Sequence, residues 1–288
     1  MDILFPNSPE KYGVVDPSFS AEEAAARSSG LGVRLYSHEA IESGAGALFS
    51  SDAKLGPVLL LRGWMMSAEQ YNDLAQAVGR LGSTLVVDPA GYSEAHYLPY
   101  AYQSLWPDTA ESVWMEGDEI EEAWLLYQRF RDGDAIIKDW VKSAKHRWRE
   151  ACFLPARTDR DRFAEIFRAF RQARGHHFNR GVVLRRFLPL KSVGIDMRGF
   201  PLVEEFRLFF FQGTLLALPE VEGVDGVLAE LPRWEAVARK FKSPFLTIDV
   251  ARLDSGGWII VEAGDGGVSG LPLSIDPESF YAAIRKRT

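Results

Sequence analysis

The segment Phe245–Pro272, FLTIDVARLDSGGWIIVEAGDGGVSGLP, carries two apolar runs, Leu246–Leu253 and Trp258–Glu262, on either side of the turn Asp254-Ser255-Gly256-Gly257. Apolar runs flanking a glycine turn predict a β-hairpin. Pairing Leu253 with Trp258 puts Asp249 directly across from Glu262 on one face, and a two-residue loop at Ser255-Gly256 gives the same register. Like charges facing each other across a strand pair repel. Glu262 also shares its face with Trp258 and Ile260, which strip water from it, so it must protonate or find a cation. Two resolutions follow. A divalent ion such as Mg2+ takes oxygen ligands and commonly joins carboxylates to phosphates, and Asp265 could add a third oxygen past the strand end. Alternatively the face is open to water and a lysine or arginine lies nearby.

Outward from the hairpin, the chain supports a large folded protein. It has 288 residues, 47% hydrophobic and 25% charged, enough for one large or two ordinary domains. A net charge of −7 argues against a broad nucleic-acid surface. The single cysteine, Cys152, excludes a disulfide framework and a cysteine zinc site, and points to a reducing compartment. The N-terminal MDILFPNSPEKYG lacks a basic region followed by an apolar core, and no run of eighteen apolar residues occurs. The expectation is a soluble cytoplasmic protein.

Residues 1–98 alternate in type. Strands are expected at Ile3–Phe5, Val33–Tyr36, Pro57–Arg62 and Thr84–Val87, the last stopped by Pro89. Helices are expected at Ala21–Ser29, with Ser20 as N-cap and Glu23 completing a capping box, and at Ser67–Leu81, with Gly30 and Gly82 as stops. Alternation of this kind implies a small parallel sheet covered by helices. Residues 99–115 read as an aromatic connector. Beyond it come a helix over Glu119–Phe130, a strand over Asp134–Trp140, and a helix opened by a capping box at Thr158. In that helix Phe163, Ile166, Phe167 and Phe170 recur at helical spacing, up to Gly175. Strand-like runs Gly181–Leu188, Val203–Phe211 and Thr214–Leu218, a helix Val227–Lys240, the hairpin and a helix Pro277–Lys286 complete the chain. Hairpins dominate this half, so it is α+β with an antiparallel sheet. The expected division is an α/β domain over 1–98 and an α+β domain over 99–288.

Three further stretches carry chemistry. In IIKDWVKSAKH, Lys138 sits in a strand, and Lys142 and Lys145 follow in a polar loop. Lysines near a strand end suit phosphate oxygens, and a solvated loop is the bland alternative. In LVEEFRLFFFQG, Glu205 and Arg207 share one strand face, where the arginine could clamp a carboxylate or phosphate or make a cross-strand ion pair. In LLLRGWM, Arg62 ends a buried parallel strand, where open α/β sheets bind ligands, or it caps the next helix. No Walker A sequence, GxGxxG, HExxH or GxSxG occurs, and nucleophilic catalysis by Cys152 has little support.

The order of RGWMMSAEQY (62–71), IIKDWVKSAKHRW (136–148), EEFRLFF (204–210) and VEAGDGGVSGLP (261–272) resembles the ATP-grasp superfamily, and more closely its R-two-K clade. The resemblance covers most of the chain. It implies an ATP-grasp fold with a pre-ATP-grasp α/β domain in front, and ATP held between two α+β subdomains. By that resemblance Lys138 contacts the nucleotide phosphates and Lys142 or Lys145 stands in the loop covering them. The run LRRFLPL (184–190) becomes the hinge at adenine, with Arg186, Phe187 and Leu188. Arg207 stabilises the transferring phosphoryl group or binds the acceptor carboxylate, Asp249 and Glu262 hold Mg2+, and Arg62 holds the acceptor substrate's carboxylate, with Glu205 also at the substrate. The sequence departs from the family where Glu-x-Asn is usual: it reads Glu262-Ala-Gly-Asp265. The implied reaction is ATP-dependent carboxylate–amine ligation of a small molecule or peptide through an acylphosphate. The alternatives are a phosphotransferase acting on a hydroxyl and a non-catalytic nucleotide-binding module.

Overall fold

The computed structural model describes residues 1–288 except 50–54, 196–200, 218, 220 and 288. Its first sheet is fully parallel, in the order β2-β1-β3-β4, from β1 (Asp2–Pro6), β2 (Gly32–Tyr36), β3 (Val58–Leu61) and β4 (Thr84–Leu85). Leu59, Leu60 and Leu61 are buried, as a strand covered on both faces requires. Four helices accompany it: α1 (Ser20–Ser28), α2 (His38–Glu42), α3 (Ala68–Arg80) and α4 (Pro89–His96). Ser67 and Gln70 form a complete capping box on α3. The box expected on α1 does not form. A 3₁₀ turn, Pro17–Phe19, precedes that helix, and Asp16 caps the turn by accepting from Ser18 N–H. Glu23 instead pairs with Arg27 one turn on. Pro89 opens α4 rather than merely ending a strand.

The expected connector is structured. It contains α5 (Leu98–Leu105) and strand β5 (Ser112–Glu116). Next come α6 (Ile120–Tyr127), β6 (Ala135–Asp139), α7 (Trp148–Ala151), β7 (Phe153–Leu154), α8 (Arg160–Arg174) and β8 (Gly181–Arg186). The strands form an antiparallel sheet in the order β5-β8-β6-β7. Phe163, Ile166, Phe167 and Phe170 of α8 pack with Ala135, Ile137, Val182 and Leu184 of the sheet in one core. The cap of α8 is Asp159, which accepts from Arg162 N–H, and not Thr158, whose hydroxyl donates to Pro155 O. A ribbon of β9 (Ser192–Ile195) and β10 (Pro201–Val203) follows.

A second antiparallel sheet, in the order β12-β11-β13-β14, is built from β11 (Glu205–Phe211), β12 (Thr214–Leu215), β13 (Phe245–Arg252) and β14 (Trp258–Asp265). The run expected at Val203–Phe211 is two strands separated by Glu204, which salt-bridges Lys191 at 2.8 Å. The expected strand end at Leu218 lies outside the described residues. The single helix expected over Val227–Lys240 is α9 (Val224–Ala229) followed by α10 (Leu231–Ala238), because Pro232 begins a new helix and cannot continue one. The last helix is α11 (Pro277–Arg285), capped by Asp276. Two compact units result. One comprises 1–96, 205–250 and 262–288, and the other 97–204 and 251–261.

Candidate functional site

Alternation along β11 places Glu205, Arg207, Phe209 and Phe211 on one face, with Phe206, Leu208 and Phe210 on the other. On the adjacent strand, Asp249 shares its face with Thr247. At the far end of the hairpin, Gly266 N–H donates to Phe245 O at 3.0 Å, and the Thr247 hydroxyl donates to Gly264 O at 3.3 Å. Both contacts keep the register in which Glu262 faces Asp249. The cation beside the carboxylates is Arg207. Its Nε donates to Asp249 Oδ1 at 2.8 Å and its Nη2 to Oδ2 at 2.7 Å, a two-pronged, charge-assisted contact. Nη1 also reaches Gly270 O at 3.4 Å. The bond to Asp249 holds the guanidinium above its ordinary pKa against the effect of burial, and the charges of Asp249, Glu262 and the exposed Glu205 add to it. Asp249 is buried and Arg207 is about one-third exposed.

Asp265 does not join the other two carboxylates. It is buried, its Oδ1 accepts from Gly267 N–H at 2.8 Å, and its Oδ2 has no hydrogen-bond partner. Burial pushes its pKa up to about 7 against the opposing Gly267 N–H and Arg62. Among the described residues no set of three His, Cys, Asp or Glu is arranged to hold a metal. Two facing carboxylates remain, Asp249 and Glu262. That donor set still suits Mg2+, which usually takes one or two carboxylates and completes its shell with water and phosphate.

Arg62 is not presented at an open strand end. It is 1% exposed. Nε and Nη2 donate to the two oxygens of Glu22 at 2.9 and 3.0 Å, and Nη1 donates to Gly266 O and, at 2.8 Å, Ser269 O. Tyr281 donates to the same glutamate at 2.7 Å, and Phe209 and Phe280 flank the guanidinium. Desolvation opposes this charge, but Glu22 outweighs it and raises the pKa. Arg62 therefore grips the chain's own Gly266–Ser269 segment, and the Gly63 N–H adds a bond to Gly267 O at 2.8 Å. Ser269 in turn bonds Thr247 at 2.9 Å. The arginine thus holds the segment that follows Glu262.

In the other unit, Lys138 lies opposite Val183 and shares a face with Ile136 and Arg185, away from the core face of Ala135, Ile137 and Asp139. Lys142 and Lys145 are exposed. Behind them Cys152 is fully buried, and burial pushes its thiol pKa up to about 11, the opposite of nucleophile activation. Arg186 stacks on Phe130 and pairs with Asp132 at 2.8 Å. Phe187 packs on Trp148 and Phe153, and its N–H donates to Asp134 O at 2.9 Å. Leu188 is half-buried. The sequence reading missed two residues. Arg185 joins Lys138 on one face, with Nη2 donating to Thr109 Oγ1 at 2.9 Å and Ile260 O at 3.2 Å. Asp139 is fully buried directly after Lys138, and a charged residue at the same parity as Ala135 and Ile137 was its visible signal.

Comparison with known proteins agrees with this architecture. No curated protein sequence matches the chain. Among solved structures it resembles the D-cycloserine synthetase DcsG at 15% identity, over 99% of each chain, with a TM-score of 0.61. It also resembles a RimK domain protein ATP-grasp from Sphaerobacter thermophilus DSM 20745 at 12% identity, over 98% of each chain, with a TM-score of 0.62. A third is the ATP-grasp ligase PsnB, complexed with a phosphomimetic variant of its minimal precursor, Mg and ADP, at 13% identity over 99% of each chain and a TM-score of 0.57. At these identities the likeness is one of fold. The sequence model described as ATP-grasp domain, R-two-K clade family 3, matches residues 126–284, more than half of the chain, and the protein belongs to that family.

Proposed function

We propose that the protein is an ADP-forming ligase that joins a carboxylate to an amine through an acylphosphate. The observation that carries this reading is the charged face of the second antiparallel sheet. Arg207 is forked onto Asp249 there, and Glu262 stands across the hairpin, on an ATP-grasp fold. Mg2+, when bound, would neutralise phosphate charge, and Asp249 and Glu262 are the residues to hold it. Phosphoryl transfer depends mainly on positioning and charge neutralisation. Arg207 would steady charge on the transferring group or orient the acceptor carboxylate, Lys138 would contact the phosphates, and Lys142 and Lys145 would cover them. A covering loop matters because an acylphosphate hydrolyses in water. The segment 184–190 would lie at the adenine. The amine is left to a substrate screen that includes peptides, since PsnB and MdnC are both seen with precursor peptides.

The test is a thermal melt with and without Mg·AMP-PNP, on wild type and Glu262→Ala. Glu262 is preferable to Asp249 because removing Asp249 also strands the partly buried Arg207. Nucleotide at 100 times its Kd should stabilise wild type by about 2.7 kcal/mol, and the variant should lose the magnesium-dependent part. Inorganic phosphate released from ATP only when a carboxylate and an amine are both present would then identify ligation. A stable phosphorylated product would identify phosphotransfer instead, and no shift in wild type would overturn nucleotide binding.

A further inference from the structure

In the register that sets Glu262 against Asp249, Gly264 faces Thr247 on the same side of the hairpin, one same-face step along β14. Gly264 brings no side chain to that face, and two hydroxyls take the space. A Cβ at Gly264 would lie 3.1 Å from Thr247 Oγ1 and 3.2 Å from Ser269 Oγ. The two hydroxyls are 2.9 Å apart. Ser269 arrives on the turn that follows β14 and is fixed at both ends. Arg62 Nη1 donates to its carbonyl at 2.8 Å, and its hydroxyl donates to Asp265 O at 2.8 Å. The carbonyl of the next residue, Gly270, accepts from Arg207 at 3.4 Å. Thr247 is buried and Ser269 half-buried, so Ser269 is the one of the two within a ligand's reach.

The protons of this pair are already committed. With Ser269 donating to Asp265 O, the Thr247 proton is directed at Gly264 O and Ser269 Oγ. A hydroxyl has one proton and two lone pairs, so Ser269 keeps an acceptor and no donor. A phosphate oxygen needs a donor. A water on a divalent cation is the reverse, since the metal takes its oxygen and it offers protons. Same-face neighbours on a strand stand about 6.6 Å apart. An ion on the Glu262 carboxylate carries its waters about 2.1 Å out, and a water reaches a hydroxyl at about 2.8 Å, so with the length of the glutamate side chain the gap is spanned. We propose that Ser269, steadied by Thr247, is a positioning residue for Mg2+: its hydroxyl accepts a hydrogen bond from a water in the shell of the ion held by Asp249 and Glu262. The proposal rests on the magnesium and nucleotide reading above.

The experiment measures calorimetric affinity for AMP-PNP with Mg2+ and, in EDTA, without it. The proteins are full-length wild type, Glu262→Ala, Ser269→Ala, Thr247→Val and Thr247→Ser. The ratio of the two affinities is the coupling between ion and nucleotide. Wild type should bind the magnesium complex more tightly, and Glu262→Ala should lose that advantage. In Ser269→Ala the ratio should fall about tenfold, the usual cost of removing a group that orients a metal's ligands, while the affinity in EDTA is unchanged. Thr247→Val should lower the ratio in the same way, and it replaces Ser269→Ala if that variant does not fold. Thr247→Ser keeps the hydroxyl and should keep the ratio. A pair that merely holds the turn would lower both affinities together and leave the ratio as it is, which would overturn the proposal. So would a wild-type ratio in folded Ser269→Ala or Thr247→Val, or a ratio lost in Thr247→Ser. A ratio of one in wild type would overturn the magnesium reading and this proposal with it, a result seen before any variant is made. A ratio that Glu262→Ala abolishes and Ser269→Ala leaves intact would overturn this proposal alone.

Discussion

At Asp249 the chain faces one carboxylate with another and settles the conflict by a third strand. The register that puts Glu262 opposite Asp249 was legible from the turn and the alternation of a single hairpin. The partner of Asp249 was not, because it depends on β11 lying beside β13, a pairing between residues 42 apart in sequence. Local periodicity says which face Arg207 occupies, and only strand order says what it meets. Asp265 shows the same limit. Three residues past Glu262 it looked like a further metal oxygen, yet it turns into the interior, where one oxygen has no partner. That burial gives a pH signature. An acid whose folded pKa, about 7, lies above its ordinary 3.8 binds its proton more tightly in the folded protein. The stability this contributes is complete below about pH 4 and is lost as pH rises through 7. Asp265→Asn removes the dependence, so the variant should gain on wild type between pH 5 and pH 8, by about 1–3 kcal/mol. Urea unfolding of both proteins across that range is the check. A difference that stays constant with pH would show that Asp265 does not titrate there.

At the scale of elements, the readable features were those set by neighbours along the chain. The α8 stripe, the alternation of β11 and the glycine stops at Gly30 and Gly82, both at φ +75°, formed as expected. The missed caps also had local signals that a different weighting would have caught. Asp16 followed by Pro17 is a better helix start than Ser20, since proline suits the first turn. The aromatic connector hid α5 and β5 because its residues carry no clean period. Arg62 has an element-level role that its place in the sequence did not announce. Its position at the end of β3 suggested an anchor for substrate, whereas α1 supplies Glu22 and the segment after β14 supplies two carbonyls. Arg62→Met should therefore cost about 3–5 kcal/mol in urea unfolding, because it leaves Glu22 buried without its cation. Arg62→Met combined with Glu22→Gln should recover much of that loss. A single variant as stable as wild type would show that the buried pair holds nothing together.

At the scale of the whole molecule, the order of elements pointed to an α/β region followed by an α+β region, and the last strand and helix of the parallel region end at Leu85 and His96. The core of that region is not closed by its own sequence. Phe209, Phe211, Phe245, Phe280, Tyr281 and Ile284 share one cluster with Ile3, Leu4, Phe5 and the leucines of β3. Polar contacts follow the same path: Ser28 donates to Glu278 at 2.8 Å, and Tyr281 reaches Glu22. The first compact unit is thus assembled from three separate stretches of chain. Alternation of strands and helices cannot reveal this, because it is blind to contacts between residues 250 positions apart. A fragment of residues 1–98 keeps all four parallel strands and their helices, yet it lacks α11 and the phenylalanine faces of β11 and β13. Its buried apolar area falls while the entropy of ordering its backbone does not. Such a fragment should show no cooperative thermal transition by circular dichroism and should bind a hydrophobic dye, whereas the full chain melts cooperatively. A fragment that melts as one sharp transition near the full-length Tm would show that the sheet closes its own core, and that the returning C-terminal segments only decorate it.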